Sequence, residues 1–126
     1  MPTGSDPKRL LVLDDDPASQ AHIEEVFAAD HLAIDFCDRV AEAVRSAKEG
    51  CFCAVVDVGI ADTPWEQAVD ILKAVDDTLP VILTASHNTR ELETKVREQQ
   101  IFYYYIKSFD AEELRLAVLE AMRRPS

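Results

Sequence analysis

The chain has 126 residues, of which 48% are hydrophobic, and 13 Lys and Arg against 24 Asp and Glu give a net charge of −11. This length favours one domain with one hydrophobic core, so we expect residues 1–126 to form a single domain. The negative charge repels phosphate backbones, which argues against direct nucleic-acid binding by this chain. No apolar stretch approaches the roughly 18 residues of a membrane span and the N-terminus lacks a signal-peptide core, so we expect a cytoplasmic protein that does not contact a membrane.

Short apolar runs alternate with segments of helical periodicity along the chain. The apolar runs predict five strands, at 8–13, at 33–37, up to residue 57, up to about residue 84 and at 101–107. The segments between and after them predict five helices, which begin at Pro17, near Val40, at Pro64, near Thr89 and after Asp110. This alternation predicts an α/β fold with a parallel sheet that is covered on both faces.

Polar residues end several of the predicted strands. In a parallel sheet of this kind, the functional groups lie outside the carboxyl ends of the strands, near the switch point in strand order. The residues that take such positions are Asp14, Asp15, Asp16, Asp57, Thr84 and Lys107. The three cysteines lie in or beside apolar segments without metal-ligand spacing, so we interpret them as small buried hydrophobic residues.

The types of the strand-ending residues suit phosphoryl transfer with a divalent metal ion. Neighbouring carboxylates repel one another unless a cation lies between them, and Mg²⁺ prefers oxygen ligands. Such an ion bridges an acceptor carboxylate and a phosphoryl oxygen, while a lysine and a threonine bind the other phosphoryl oxygens. One aspartate can then act as the nucleophile and carry the group as an acyl phosphate.

The motifs "LVLDDDP", "AVVDVGI", "VILTAS" and "YIKSF" occur in this order and at intervals that resemble the receiver domain of bacterial two-component response regulators. The resemblance covers about residues 9–123. It implies a CheY-like, flavodoxin-like fold, a doubly wound (βα)5 three-layer sandwich with five parallel strands in the order 2-1-3-4-5.

The resemblance also implies roles for individual residues. Asp57 would accept the phosphoryl group, Thr84 would contact it as the switch hydroxyl, Lys107 would pair with it, and Tyr104 would be the switch aromatic. The cofactor would be Mg²⁺, held by the carboxylates of Asp14, Asp15 and Asp57 and by the backbone carbonyl of Gly59.

The family resemblance implies a signalling switch, not an enzyme with turnover. The phosphoryl donor would be a sensor histidine kinase or a histidine phosphotransfer protein. Phosphorylation would reshape the surface of the fourth helix, fifth strand and fifth helix, where a downstream target or a second copy would dock.

Three departures from the family pattern leave a second interpretation open. Ala61 and Trp65 stand where the family usually has proline and glycine, and Ser108 replaces the proline that often follows the lysine through a cis bond. We expect a trans bond before Ser108, or a strained cis bond if the site demands it. A receiver fold kept as a protein-binding module that no longer accepts phosphate is therefore an alternative.

A third interpretation is a haloacid-dehalogenase-like phosphatase, since Asp14 and Asp16 form an Asp-x-Asp after an apolar strand. It requires Asp16 to be catalytic. Because Pro17 favours the first helical position, we interpret Asp16 instead as the N-cap of the first helix. Asp57 taken alone has a plain structural interpretation as well, as a cap of the loop that follows it.

Overall fold

The structure is a computed structural model that describes residues 6–107 and 110–124. Five strands and five helices alternate along the chain, as the sequence predicts. Their bounds are β1 Lys8–Leu13, α1 Pro17–Val26, β2 Leu32–Cys37, α2 Val40–Glu49, β3 Cys53–Asp57, α3 Trp65–Val75, β4 Val81–Ala85, α4 Arg90–Glu98, β5 Tyr103–Ile106 and α5 Ala111–Arg123.

The five strands form one parallel sheet in the order β2-β1-β3-β4-β5. The predicted strand order and flavodoxin-like fold class are therefore confirmed. The order reverses between β1 and β3, so the crevice at their carboxyl ends is the switch point of the sheet. The register pairs Asp57 at the end of β3 with Thr84 in β4, which places two of the predicted site residues side by side.

Side chains that alternate along each strand build a hydrophobic core on each face of the sheet. Leu11 and Leu13 of β1 belong to the core that packs against α2 and α3, whereas Leu10 and Val12 belong to the core that packs against α1 and α5. All four are fully buried. Because both faces of a parallel sheet are covered by helices, its strands are apolar on both sides, which explains the continuous apolar runs of the sequence.

The aromatic residues of β5 divide between the two faces as strand alternation predicts. Tyr104 packs against the core on the α2 and α3 side, and Tyr103 and Tyr105 pack against the opposite core. Tyr105 is buried, and Trp65 at the start of α3 is buried as well, as part of the core on the α2 and α3 side.

Side-chain caps begin several of the helices. Asp16 Oδ1 accepts a hydrogen bond from the Ala18 amide at 3.1 Å, and Pro17 follows as the first helical residue, so the predicted N-cap is confirmed. Thr89 caps α4 and Asp110 caps α5 in the same way. The peptide bond between Lys107 and Ser108, for which the sequence predicts a trans geometry, lies outside the described residues. In the described part of the chain, no helix has the length and apolar character needed to cross a bilayer.

Candidate functional site

Four of the predicted site residues meet at the carboxyl edge of the sheet. The Thr84 hydroxyl donates to Asp57 Oδ1 at 2.8 Å, and Lys107 Nζ lies 2.9 Å from the same oxygen. Lys107 Nζ also lies 3.2 Å from Asp14 Oδ2. The side chains of this cluster are buried, since Asp14, Asp57 and Thr84 are 1%, 8% and 1% exposed. Their loss of hydration must therefore be compensated by ion pairs and hydrogen bonds.

The ammonium of Lys107 supplies much of that compensation. Burial by itself lowers the pKa of Lys107, but the hydrogen bond and charge of Asp57, together with Asp14, outweigh it and raise the pKa above its ordinary value. Lys107 therefore remains an ammonium at neutral pH. Two carboxylates, from β3 and from the end of β1, share this one cation.

The second oxygen of Asp57 faces the loop that follows β3. Asp57 Oδ2 accepts a hydrogen bond from the Gly59 amide at 2.9 Å. A Cβ atom on Gly59 would lie 3.0 Å from this same oxygen, so a side chain at this position would require the loop or the carboxylate to shift by a few tenths of an ångström. Asp57 thus caps its loop and also contacts Thr84 and Lys107, so the two interpretations of this residue do not exclude each other.

Asp14 is held by donors that the sequence did not single out. The Ser19 hydroxyl donates to Asp14 Oδ2 at 2.6 Å, and the Asp16 amide donates to Asp14 Oδ1 at 3.0 Å. The Gln20 side-chain amide donates to the backbone oxygen of Asp14. A polar residue in the first turn of a helix that follows an acidic strand end is the signal that points to Ser19.

Asp15 is exposed and contacts the loop between β3 and α3. Its Oδ2 accepts a hydrogen bond from the Ala61 amide at 2.9 Å. In the same loop, Asp62 Oδ2 accepts from the Val40 amide at the start of α2, also at 2.9 Å. A proline at position 61 has no N–H to donate, so the departure from the family pattern at this position adds a contact to Asp15.

The donor chemistry of the site fits Mg²⁺. Asp14, Asp15 and Asp57 offer carboxylate oxygens, the type of ligand that Mg²⁺ prefers, and Asp14 and Asp57 already share one cation, the ammonium of Lys107. These carboxylates are not gathered into a closed cage, because no three Asp, Glu, His or Cys side chains among the described residues are close enough to hold a metal ion together.

Tyr104 lies outside this buried cluster. Its half-buried ring packs on the core, and its hydroxyl donates to Asn88 Oδ1 at 2.9 Å. Burial, and then the negative charge of Glu93, raise the pKa of the Tyr104 hydroxyl above its ordinary value, so it remains a donor at neutral pH. Asn88 is not part of any motif that the sequence analysis selected.

A cavity of about 200 Å³ opens beside the cluster between α1 and α5. Ser19, His22, Thr84 and Lys107 are among the residues that line it. Asp16 lies at its border as the cap of α1, while Asp57 is the aspartate that contacts Thr84 and Lys107. Asp57, and not Asp16, is therefore the aspartate that contacts both the threonine and the lysine.

A buried aspartate at the end of β3 that contacts a threonine and a lysine from the next two strand ends, on a doubly wound fold, is the arrangement that the sequence motifs lead one to expect of a receiver domain. Residues 10–119 match the family described as the response regulator receiver domain, and the chain belongs to this family.

Similar proteins agree with this assignment. The acid tolerance regulatory protein ActR of Rhizobium meliloti (strain 1021) is 27% identical over 118 residues, which are 90% of this chain and 59% of the relative. The chain thus spans about three fifths of the length of this curated relative.

Solved receiver domains share the fold. The receiver domain of the sensor histidine kinase PA1611 from Pseudomonas aeruginosa PAO1, with magnesium in its active-site cleft, has a TM-score of 0.82 at 17% identity, and the match covers 94% of this chain and 99% of that one. The beryllofluoride-activated NtrC4 receiver domain dimer has a TM-score of 0.79 at 23% identity, with 90% and 94% covered.

Proposed function

We propose that this receiver domain accepts a phosphoryl group on Asp57 from the phosphohistidine of a sensor histidine kinase or a histidine phosphotransfer protein. The observation that carries the proposal is the convergence of Lys107 Nζ and Thr84 Oγ1 on Asp57 Oδ1, at 2.9 and 2.8 Å. These are the groups that a phosphorylated Asp57 needs, because one supplies positive charge and the other a hydrogen-bond donor to phosphoryl oxygens.

The transfer exchanges one bond to phosphorus for another. A carboxylate oxygen of Asp57 attacks the phosphorus, and the N–P bond of the phosphohistidine breaks with its electron pair left on the imidazole nitrogen, which then takes a proton from water. The product is an acyl phosphate on Asp57. Lys107 then pairs with one phosphoryl oxygen and Thr84 donates to another, so both side chains exchange a carboxylate partner for a phosphoryl partner.

Mg²⁺, when bound, supplies the positive charge that offsets the repulsion between the incoming phosphoryl oxygens and the acidic site. The carboxylates of Asp14, Asp15 and Asp57 and the backbone carbonyl of Gly59 would hold it. Two facts support this assignment: Asp14 and Asp57 already share a cation, and a receiver domain of the same fold holds magnesium in its cleft.

Phosphorylation would act on a partner through a change of surface. Thr84 would move toward the phosphoryl group and Tyr104 would change its burial, which alters the face formed by α4, β5 and α5. This face would dock a downstream target or a second copy of the chain, and the dimer of the NtrC4 receiver supports the second possibility. The domain would work in the cytoplasm as a switch without multiple turnover.

Intact mass measurement tests the proposal. The protein is incubated with MgCl₂ and acetyl phosphate, and we expect wild type to gain the mass of one phosphoryl group and the Asp57→Asn variant to gain none. Asp16→Asn is the matched control and should be phosphorylated like wild type. Failure of wild type to take up phosphate would favour a protein-binding module, and steady hydrolysis of phosphate esters that Asp16→Asn abolishes would favour a phosphatase.

A further inference from the structure

The Tyr104 side chain joins the hydrophobic core to an exposed loop. Its ring packs against the core cluster on the α2 and α3 side. Its hydroxyl donates to Asn88, an exposed residue in the connection between β4 and α4, four positions after Thr84. The ring and the hydroxyl therefore lie in different environments, and the hydrogen bond to Asn88 ties the hydroxyl to the exposed loop.

Asn88 also holds the first turn of α4. Its Nδ2 donates to Glu93 Oε2 at 2.7 Å, and Glu93 Oε1 pairs with Arg97 at 3.2 Å one turn later. The side chains of Tyr104, Asn88, Glu93 and Arg97 thus form one continuous polar chain from β5 along α4.

This polar chain matters because α4 is weakly anchored by apolar contacts. None of its residues is buried, and only Leu92 and Val96 pack, half-buried, against the core. Lys95 adds an ion pair to Glu66 of α3 at 3.6 Å between partly exposed groups, an arrangement that stabilises little. The contacts of Asn88 with Glu93 and Tyr104 therefore join the first turn of α4 to the preceding loop and to β5.

We propose that Asn88 is a positioning residue that holds Tyr104 and α4 in the unphosphorylated arrangement. This inference rests on the proposed function, in which Tyr104 changes its burial when Asp57 is phosphorylated. We take this change to be an inward move of the ring, which carries the hydroxyl away from the exposed Asn88 and breaks the bond between them. The bond therefore stabilises only one of the two states, and its removal shifts the equilibrium toward the other.

Beryllofluoride with MgCl₂ serves as the probe of the phosphorylated arrangement, and its half-saturating concentration is followed by NMR. We expect Asn88→Ala to bind it on the order of twofold to tenfold more tightly than wild type, the range that corresponds to one exposed hydrogen bond. Tyr104→Phe removes the other partner. In the Tyr104→Phe background, Asn88→Ala should have no further effect, because the bond is already absent.

Thr89→Ala is the matched control. It removes the N-cap bond from the Leu92 amide to Thr89 Oγ1, 3.0 Å long, and loosens the same first turn without touching Tyr104. The effect of Thr89→Ala on the free energy of beryllofluoride binding should add fully to the effect of Tyr104→Phe. If Asn88→Ala changes beryllofluoride binding no more than Thr89→Ala, or adds fully to Tyr104→Phe, then Asn88 acts only through helix fraying and the inference is wrong.

Hydrogen exchange of the α4 amides gives a readout that needs no phosphoryl analogue. We expect faster exchange over residues 90–98 in Asn88→Ala, and the same non-additivity with Tyr104→Phe. If wild type fails to bind beryllofluoride, the proposed function is contradicted, and the exchange data still decide the role of Asn88. Unchanged exchange in Asn88→Ala would overturn the inference by itself.

Discussion

Lys107 Nζ lies 2.9 Å from Asp57 Oδ1. Asp57 ends β3 and Lys107 follows β5, and strand β4 lies between these two strands in the sheet. The contact spans the sheet because all the strands are parallel and end at one edge, and because the lysine stem is long enough to pass the end of β4. It passes Thr84, whose hydroxyl donates to the same oxygen. Asp57 Oδ1 therefore contacts side chains at the ends of two other strands, so its environment depends on the strand order.

The Lys107→Met variant is expected to lose stability. It leaves the buried carboxylates of Asp14 and Asp57 without their shared ammonium, and we expect the free energy of unfolding to fall by about 1–3 kcal/mol. Lys48→Met, at an exposed position of α2, is the control and should stay within about 0.5 kcal/mol of wild type. Urea denaturation measures both. Equal stability of the two variants would show that the ammonium does not hold the site together.

Two serines should respond in opposite ways to replacement by alanine. Ser19→Ala removes a 2.6 Å hydrogen bond to a buried carboxylate and should cost about 1–2 kcal/mol of unfolding free energy. Ser46 Oγ is buried without a hydrogen-bond partner among the described residues, so Ser46→Ala should be neutral or stabilising. Thermal and urea unfolding of both variants test this, and a larger loss for Ser46→Ala would contradict it.

Replacement of two glycines by alanine should have different effects, because Gly59 lies against the Asp57 carboxylate and Gly50 has a positive φ. A Cβ on Gly59 meets Asp57 Oδ2 at 3.0 Å, so Gly59→Ala should displace the carboxylate and slow phosphorylation by acetyl phosphate on the order of tenfold, with little loss of stability. Gly50 has φ of 104° and open space around it, so Gly50→Ala should cost about 1–3 kcal/mol through strain.

The two glycine variants should therefore differ in opposite properties, with a lower phosphorylation rate in Gly59→Ala and a lower stability in Gly50→Ala. Gly50→Ala should be phosphorylated at the wild-type rate, and Gly59→Ala should unfold near the wild-type urea concentration. If Gly59→Ala is phosphorylated as fast as wild type, the close approach of the loop to Asp57 has no role in the chemistry.

Alkaline pH should destabilise the fold partly through Cys37. Burial, and then the charge of Asp35, raise the pKa of this thiol from 9.0 to about 12. Below pH 9 the thiol is neutral in both the folded and the unfolded state, so it does not change the free energy of unfolding. Between pH 9 and pH 12 the thiol ionises in the unfolded chain but stays neutral in the folded chain, and this ionisation stabilises the unfolded state. Stability should fall as pH rises through this window.

The Cys37→Ala variant isolates that contribution. The raised pKa of Lys107 acts in the same direction, because its ammonium stabilises the fold until the pH passes that pKa, so wild type and variant should both lose stability. The loss should be smaller in Cys37→Ala. Urea midpoints at neutral pH and between pH 9 and pH 12 measure it, and parallel pH profiles would show that Cys37 does not contribute.

Apolar patterning determined most of the fold in advance. Strand β1 has the predicted bounds, because its four buried residues, 10–13, are apolar on both faces and the apolar run stops at Asp14. That same rule marked Asp14, Asp57 and Thr84 as strand-end residues, and the structure brings them together with Lys107. Strand order and family membership came from motif resemblance, since periodicity alone carries no information on which strands are neighbours.

The contacts around the site were less predictable than its members. Ser19, Asn88 and the Ala61 amide each bind a predicted residue through a local turn or a loop whose path depends on tertiary packing. The amide of Ala61 is 46 residues away from Asp15 in sequence, and a backbone donor leaves no trace in side-chain chemistry. The sequence identified the chemical groups, and the loops decide which oxygen of each carboxylate remains accessible.

In the proposed function Asp57, and no other acid of the cluster, receives the phosphoryl group. Its most direct test is to phosphorylate the protein with acetyl phosphate and MgCl₂, reduce the acyl phosphate with borohydride and locate the resulting homoserine by peptide mass spectrometry. We expect homoserine at position 57 only, and none in Asp57→Asn. Homoserine at position 14, 15 or 16, or labelling of Asp57→Asn at the wild-type rate, would contradict it.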